Sequence, residues 1–71
     1  MTMTERIRIL LVKRSNISES ELARRLGISP QNLHNKMKRD NFDEQELRQI
    51  AEVLNCDLNI SFSIRETGEV I

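Results

Sequence analysis

Apolar residues recur along this chain with two different periods, and the switch from one to the other divides it. Met3, Ile7, Leu10 and Leu11 fall at helical spacing, with Arg6, Arg8, Lys13 and Arg14 on the remaining surface. That pattern predicts an amphipathic helix over about residues 4–14. A second helix, about 19–26, brings Leu22 and Leu26 to one face, and the small Ala23 lets another helix approach closely. A third, about 30–38, aligns Leu33 and Met37 at i and i+4. In a fourth, running to about Leu54, the residues Leu47, Ile50, Ala51 and Leu54 fit the i, i+3, i+4, i+7 template without exception. Beyond Asn55 the period falls to two. Leu58, Ile60, Phe62 and Ile64 alternate with Asn59, Ser61, Ser63 and Arg65, the pattern of a half-buried β-strand. Glu66, Thr67 and Gly68 supply turn chemistry, after which residues 69–71 can return as a short second strand.

The helix boundaries are written in capping residues. Ser18 with Glu21 three positions later forms a capping box, flanked by Ile17 and Leu22 as a hydrophobic staple. Gly27 can take the left-handed position that ends this helix without a Cβ penalty. Ser29 then caps the next helix, Pro30 occupies the first position where a missing N–H costs nothing, and Ile28 with Leu33 repeats the staple. The same signal returns at Phe42, Asp43, Glu46 and Leu47, and Asn55 is a suitable left-handed terminator. With only about three or four residues between them, the second and third helices must cross steeply, as in a helix-turn-helix. The third helix differs from its neighbours in having Asn32, rather than Glu or Gln, three residues after its cap.

At 71 residues the chain can build one small domain, with residues 1–56 as the helical unit and 57–71 as a β tail. So short a chain buries a limited share of its surface, which favours association with a second copy. A lone hairpin is marginal in water and leaves an open edge. The expectation is therefore a homodimer paired through Leu58, Ile60, Phe62 and Ile64; the alternative is a hairpin folded back on its own helices. No apolar run approaches the roughly 20 residues that span a bilayer, and the opening MTMTERIR has no signal-peptide core, so a cytoplasmic protein is expected. Cys56 is the only cysteine, which rules out an internal disulfide and a cysteine zinc cluster and leaves a buried or half-buried structural thiol. No Ser/His/Asp or Cys/His set, glycine-rich phosphate loop or metal-ligand cluster is present, so neither an enzyme nor a cofactor or metal is expected.

A formal net charge of zero conceals a strong asymmetry. Residues 1–41 carry nine Lys or Arg against four acids, whereas residues 42–71 carry two bases against seven acids. A polyanion is drawn to the first half and repelled by the second, which orients an encounter as well as favouring it.

With Leu33 and Met37 facing inward, the opposite side of the third helix displays Gln31, Asn32 and Asn35, with His34 and Lys36 to the side. Side-chain amides can present a donor and an acceptor together to adenine N7 and N6, a pairing worth roughly 1–3 kcal/mol of discrimination. These three are the candidate base readers. Candidate phosphate contacts are Ser29, whose hydroxyl sits among helix N-terminal amides, and Lys36, Lys38 and Arg39, with Arg24, Arg25 and Lys13 behind them.

The run SESELARRLGISPQNLHNKM, followed by FDEQELRQIAEVLNCDL, resembles the Cro and lambda-repressor type of helix-turn-helix, or xenobiotic-response-element family, over about residues 7–58. The resemblance implies a compact helical bundle whose third helix enters the DNA major groove, usually in a dimer acting as a repressor or regulator of transcription. It places Gln31 and Asn35 at base-contacting positions and Asn32 close to the backbone. Members often have Gln where Glu19 stands, at a phosphate that Glu19 would repel, and Glu and Gly where this chain has Met37 and Arg39. The strand-forming tail lies outside the common family core. The combined expectation is a mainly α, four-helix, lambda-repressor-like domain with a C-terminal β-strand or hairpin, a nucleoid-associated bacterial or phage repressor reading double-stranded DNA. The alternative is a helix-turn-helix fold that binds another protein instead, which Glu19 favours and Lys36, Lys38 and Arg39 oppose.

Overall fold

The computed structural model describes residues 1–71 and contains four α-helices: α1 (Met3–Lys13), α2 (Glu19–Leu26), α3 (Pro30–Arg39) and α4 (Glu44–Val53). Each begins at a polar side chain whose oxygen accepts a backbone N–H that the helix itself cannot pair. Thr2 accepts from Glu5, Ser18 from Glu21, Ser29 from Asn32 and Asp43 from Glu46, at 2.7–3.1 Å. The boxes close on one side only. Glu21 and Glu46 turn away from their caps toward basic partners, because a charged guanidinium or ammonium outcompetes a neutral N–H for a carboxylate.

The helix ends follow one device. Gly27 (φ 74°), Asp40 (φ 53°) and Asn55 (φ 55°) all adopt the left-handed conformation. The amide after each then reaches back to a carbonyl of the last turn: Ile28 to Ala23, Asn41 to Lys36, Cys56 to Ala51, at 2.8–3.2 Å. Between α1 and α2 the chain turns through two consecutive left-handed residues, Ser15 and Asn16, and the Ile17 amide returns to the Leu11 carbonyl at 3.0 Å.

Ile7 and Leu11 from α1, Leu22 and Ala23 from α2, Leu33 and Met37 from α3, and Ile50 with the following Leu54 form one buried cluster. Met3, Leu10, Ile17, Leu26, Ile28, Phe42, Leu47, Val53 and Cys56 pack around it. All three predicted staples therefore place their members in or against the core. Cys56 is half-buried, as expected of a structural thiol. No helix is long and apolar enough to cross a membrane.

The tail departs from expectation. No β-strand is present; residues 57–71 contain a single isolated antiparallel bridge, Ser63 to Val70. Phe62 and Ile71 exchange backbone hydrogen bonds of 3.1 and 2.8 Å, Ile64 N–H donates to Glu69, and Gly68 N–H closes the turn onto Ile64. Residues 58–61 have no backbone partner to extend this into a ladder. Alternation marks residues able to line two faces of a sheet, but a strand exists only where a neighbour supplies the other half of its hydrogen bonds. The two apolar residues at the middle of the alternation are not covered: Ile60 is 53% and Phe62 78% exposed. Leu58 and Ile64 are half-buried. The C-terminal strand or hairpin expected from the pattern is thus absent, and pairing of two chains through Leu58, Ile60, Phe62 and Ile64 loses its structural basis. The tail also lengthens the molecule, whose radius of gyration of 13.8 Å exceeds the about 11 Å of a compact 71-residue domain.

Candidate nucleic-acid interface

The candidate surface is the outward side of α3, held by contacts at both ends of the helix. At the N-terminus, Ser29 Oγ accepts the Asn32 amide at 3.1 Å, Pro30 has no N–H, and the Ser29 carbonyl accepts from Leu33. One amide of the first turn is left without a partner in the fold, that of Gln31. Ser29 accepts through its oxygen, so its O–H proton remains available. An unpaired amide beside a free hydroxyl at the positive end of a helix is suited to a phosphate oxygen.

At the C-terminus, Asp40 ties α3 to the start of α1. Its Oδ1 accepts the Thr4 amide at 2.8 Å and lies 2.9 Å from the Thr4 hydroxyl, which also reaches the Met37 carbonyl at 2.7 Å. Thr4 is the one buried polar residue of the domain. The Thr4 amide and then its hydroxyl hold the Asp40 carboxyl below the usual carboxylate range. α3 is thereby fixed to a neighbour 36 residues away in sequence.

Between these anchors, Leu33 and Met37 are buried, while Gln31, Asn32, His34 and Asn35 are exposed. All three candidate base readers share this open side of the helix, and Gln31 Nε2 donates to Asn35 Oδ1 at 3.1 Å. The candidate phosphate contacts separate into two groups. Lys38 and Arg39 are exposed and pair with no acid of the chain, whereas Lys36 is half-buried and donates to Glu46 Oε1 at 3.0 Å. Glu46 Oε2 is buried with no partner at all, so Lys36 is the sole compensation for that carboxylate. Arg24 and Arg25 are likewise engaged, both on Glu21, whose carboxyl they hold down at about 2, Arg24 contributing most. Lys13 has no ion-pair partner.

Three features of this surface escape sequence inspection. Glu19 is not an isolated negative charge at the start of α2, since Arg8 Nε of α1 lies 3.6 Å from its Oε1. The pairing of Lys36 with Glu46 depends on how α3 and α4 approach, as does the Asp40 link to Thr4 on α1. Helix spacing signals none of them, because each partner sits on a different element.

The fold and surface together define a four-helix helix-turn-helix domain with an exposed, amide-bearing third helix. Residues 6–59 match the family model of the Cro/C1-type helix-turn-helix DNA-binding domain, and the chain belongs to that family. The resemblance seen in the motif residues is thereby shown, and it carries DNA binding with it. No curated protein and no solved structure matches the chain.

Proposed function

We propose that this chain is a sequence-specific regulator of transcription that binds double-stranded DNA as a repressor, with α3 lying in the major groove. The observation that carries this reading is the exposed face of α3. Gln31, Asn32 and Asn35 are the only functional groups on it besides His34, no acid intrudes, and the unpaired cations Lys38 and Arg39 follow at its end. Amides serve as base readers because they offer donor and acceptor at once; the two cations and the Ser29 corner supply sequence-independent grip on phosphates. Lys36 contributes positive potential near the backbone but is held by Glu46. Arg8 compensates Glu19, so the start of α2 does not present an unbalanced negative charge to DNA.

The test is selection of a binding site from random duplexes, followed by fluorescence anisotropy at low and physiological salt. Enrichment of one site, with affinity falling steeply as salt rises, supports the proposal. A second reading, a module that binds another protein, is favoured by the apolar exposure of Phe62, Val70 and Ile71. It takes over if no duplex is enriched and no binding occurs at low salt.

A further inference from the structure

Asp40 stands where an acid should hinder DNA binding. It follows Lys38 and Arg39 at the end of α3 and is exposed as they are. An unrestrained carboxylate in that place pairs with the neighbouring cations or repels the phosphates those cations attract. Neither cation pairs with it, since no ion pair of the fold includes Lys38 or Arg39. The carboxylate is held by α1 instead. Its Oδ1 accepts the Thr4 amide at 2.8 Å and lies 2.9 Å from the Thr4 hydroxyl, at the positive end of the α1 dipole. Thr4 is buried and its hydroxyl also lies 2.7 Å from the Met37 carbonyl, so water competes little for this contact.

The backbone of the same residue ends α3. Asp40 is left-handed (φ 53°), and its amide and that of Asn41 return to the Met37 and Lys36 carbonyls, each at 3.2 Å. One residue thus terminates α3 through its main chain and caps α1 through its side chain. The end of α3, with both unpaired cations, shifts against α1 only if these contacts break.

We propose that Asp40 is a positioning residue for DNA binding: held by Thr4, its carboxylate stays clear of Lys38 and Arg39 and fixes the end of α3, so that both cations meet phosphates. The inference rests on α3 meeting DNA. It adds that an acid beside the phosphate contacts promotes binding.

Positioning and simple electrostatics predict opposite signs for one substitution. Glycine accepts the left-handed backbone without a Cβ penalty, so Asp40→Gly keeps the helix end and removes the carboxylate. If the acid only adds negative charge, its loss strengthens binding to every duplex. Under the proposal binding weakens, and the slope of log affinity against log salt falls by about one to two as the Lys38 and Arg39 contacts are lost. Thr4 separates positioning from stability. Thr4→Val loses the hydroxyl and nearly keeps the volume, whereas Thr4→Ser keeps the hydroxyl and loses a buried methyl. Both variants should melt earlier, but only Thr4→Val should lower the salt slope. Its loss is smaller than that of Asp40→Gly, because the backbone amide at position 4 still reaches Asp40.

The experiment is fluorescence anisotropy of the full chain and the three variants on the duplex selected by the unaltered chain, at several salt concentrations and well below each melting midpoint. Weaker binding and a lower slope in Asp40→Gly, with the slope retained in Thr4→Ser, supports the assignment. Equal or tighter binding by Asp40→Gly at an unchanged slope overturns it. Equal loss of slope in Thr4→Val and Thr4→Ser also overturns it, because binding then follows stability and not the hydroxyl. Failure of the unaltered chain to bind any duplex overturns the underlying DNA reading, and is distinguishable because it appears without any variant.

Discussion

The helical bundle and the tail use equally clear sequence patterns, and only one of the patterns becomes structure. Leu22 and Leu33 sit at helical spacing and are fully buried; Phe62, at strand spacing, is 78% exposed. A helix satisfies its own backbone, so an apolar stripe needs only another surface to pack on. A strand satisfies half of its backbone at most, and the 15-residue tail supplies itself with one short antiparallel contact. Periodicity therefore predicts elements most securely where the element carries its own hydrogen bonds.

Core truncation and tail truncation should separate the two regions most widely. Leu33→Ala removes a fully buried side chain and should cost about 3 kcal/mol in urea unfolding. Phe62→Ala should cost no more than about 0.5 kcal/mol by the same measurement. Comparable losses at the two sites would break the contrast.

A second comparison lies within α3. Lys38→Ala combined with Arg39→Ala should weaken binding to all duplexes and lower the salt slope by about one for each cation that meets a phosphate. Stability should be unchanged. Lys36→Ala should behave in the opposite way, losing about 1 kcal/mol of stability because it strips Glu46 of its only partner. Its effect on DNA affinity should be the smaller of the three cations. Equal effects of Lys36 and Lys38 on affinity would show that the ion pair opens on binding.

What was legible in the sequence was local. Ser18, Gly27, Ser29, Pro30, Asp43 and Asn55 each act within four residues of their own position, and each takes the capping, first-position or terminating place its type suggests. The local signals are incomplete where a charged or distant partner competes: Arg24 and Arg25 for Glu21 within α2, and groups on other elements for Glu46, Asp40 and Glu19. Glu21 and Glu46 were expected to complete capping boxes and instead serve Arg24, Arg25 and Lys36. Asp40 joins α3 to α1 through Thr4, a link across 36 residues that no local pattern signals. Glu19 read as a lone repulsive charge until α1 placed Arg8 beside it. For the tail, no local signal distinguishes a strand with a partner from a chain without one.

The smallest effect expected is on acid stability. Glu21 titrates at about 2 in the folded domain, and Asp40 is also lowered. A carboxyl lowered on folding stabilises above its unfolded value, and this contribution disappears as pH falls through the folded one. Both contributions are thus present at neutral pH and fade from about 4.5 down toward 2 for Glu21. Asp40→Asn should flatten part of the acid side of a thermal-stability profile and leave the rest, with Glu21→Gln removing a separate part. The exposure of these groups keeps both changes modest.

Amide chemical-shift mapping on addition of the selected duplex tests most directly whether α3 does the work. Shifts should concentrate between Ser29 and Arg39, strongest at the free Gln31 amide, with residues 60–71 nearly unmoved. Shifts concentrated in the tail, with α3 unaffected, would contradict the assignment of DNA reading to this helix.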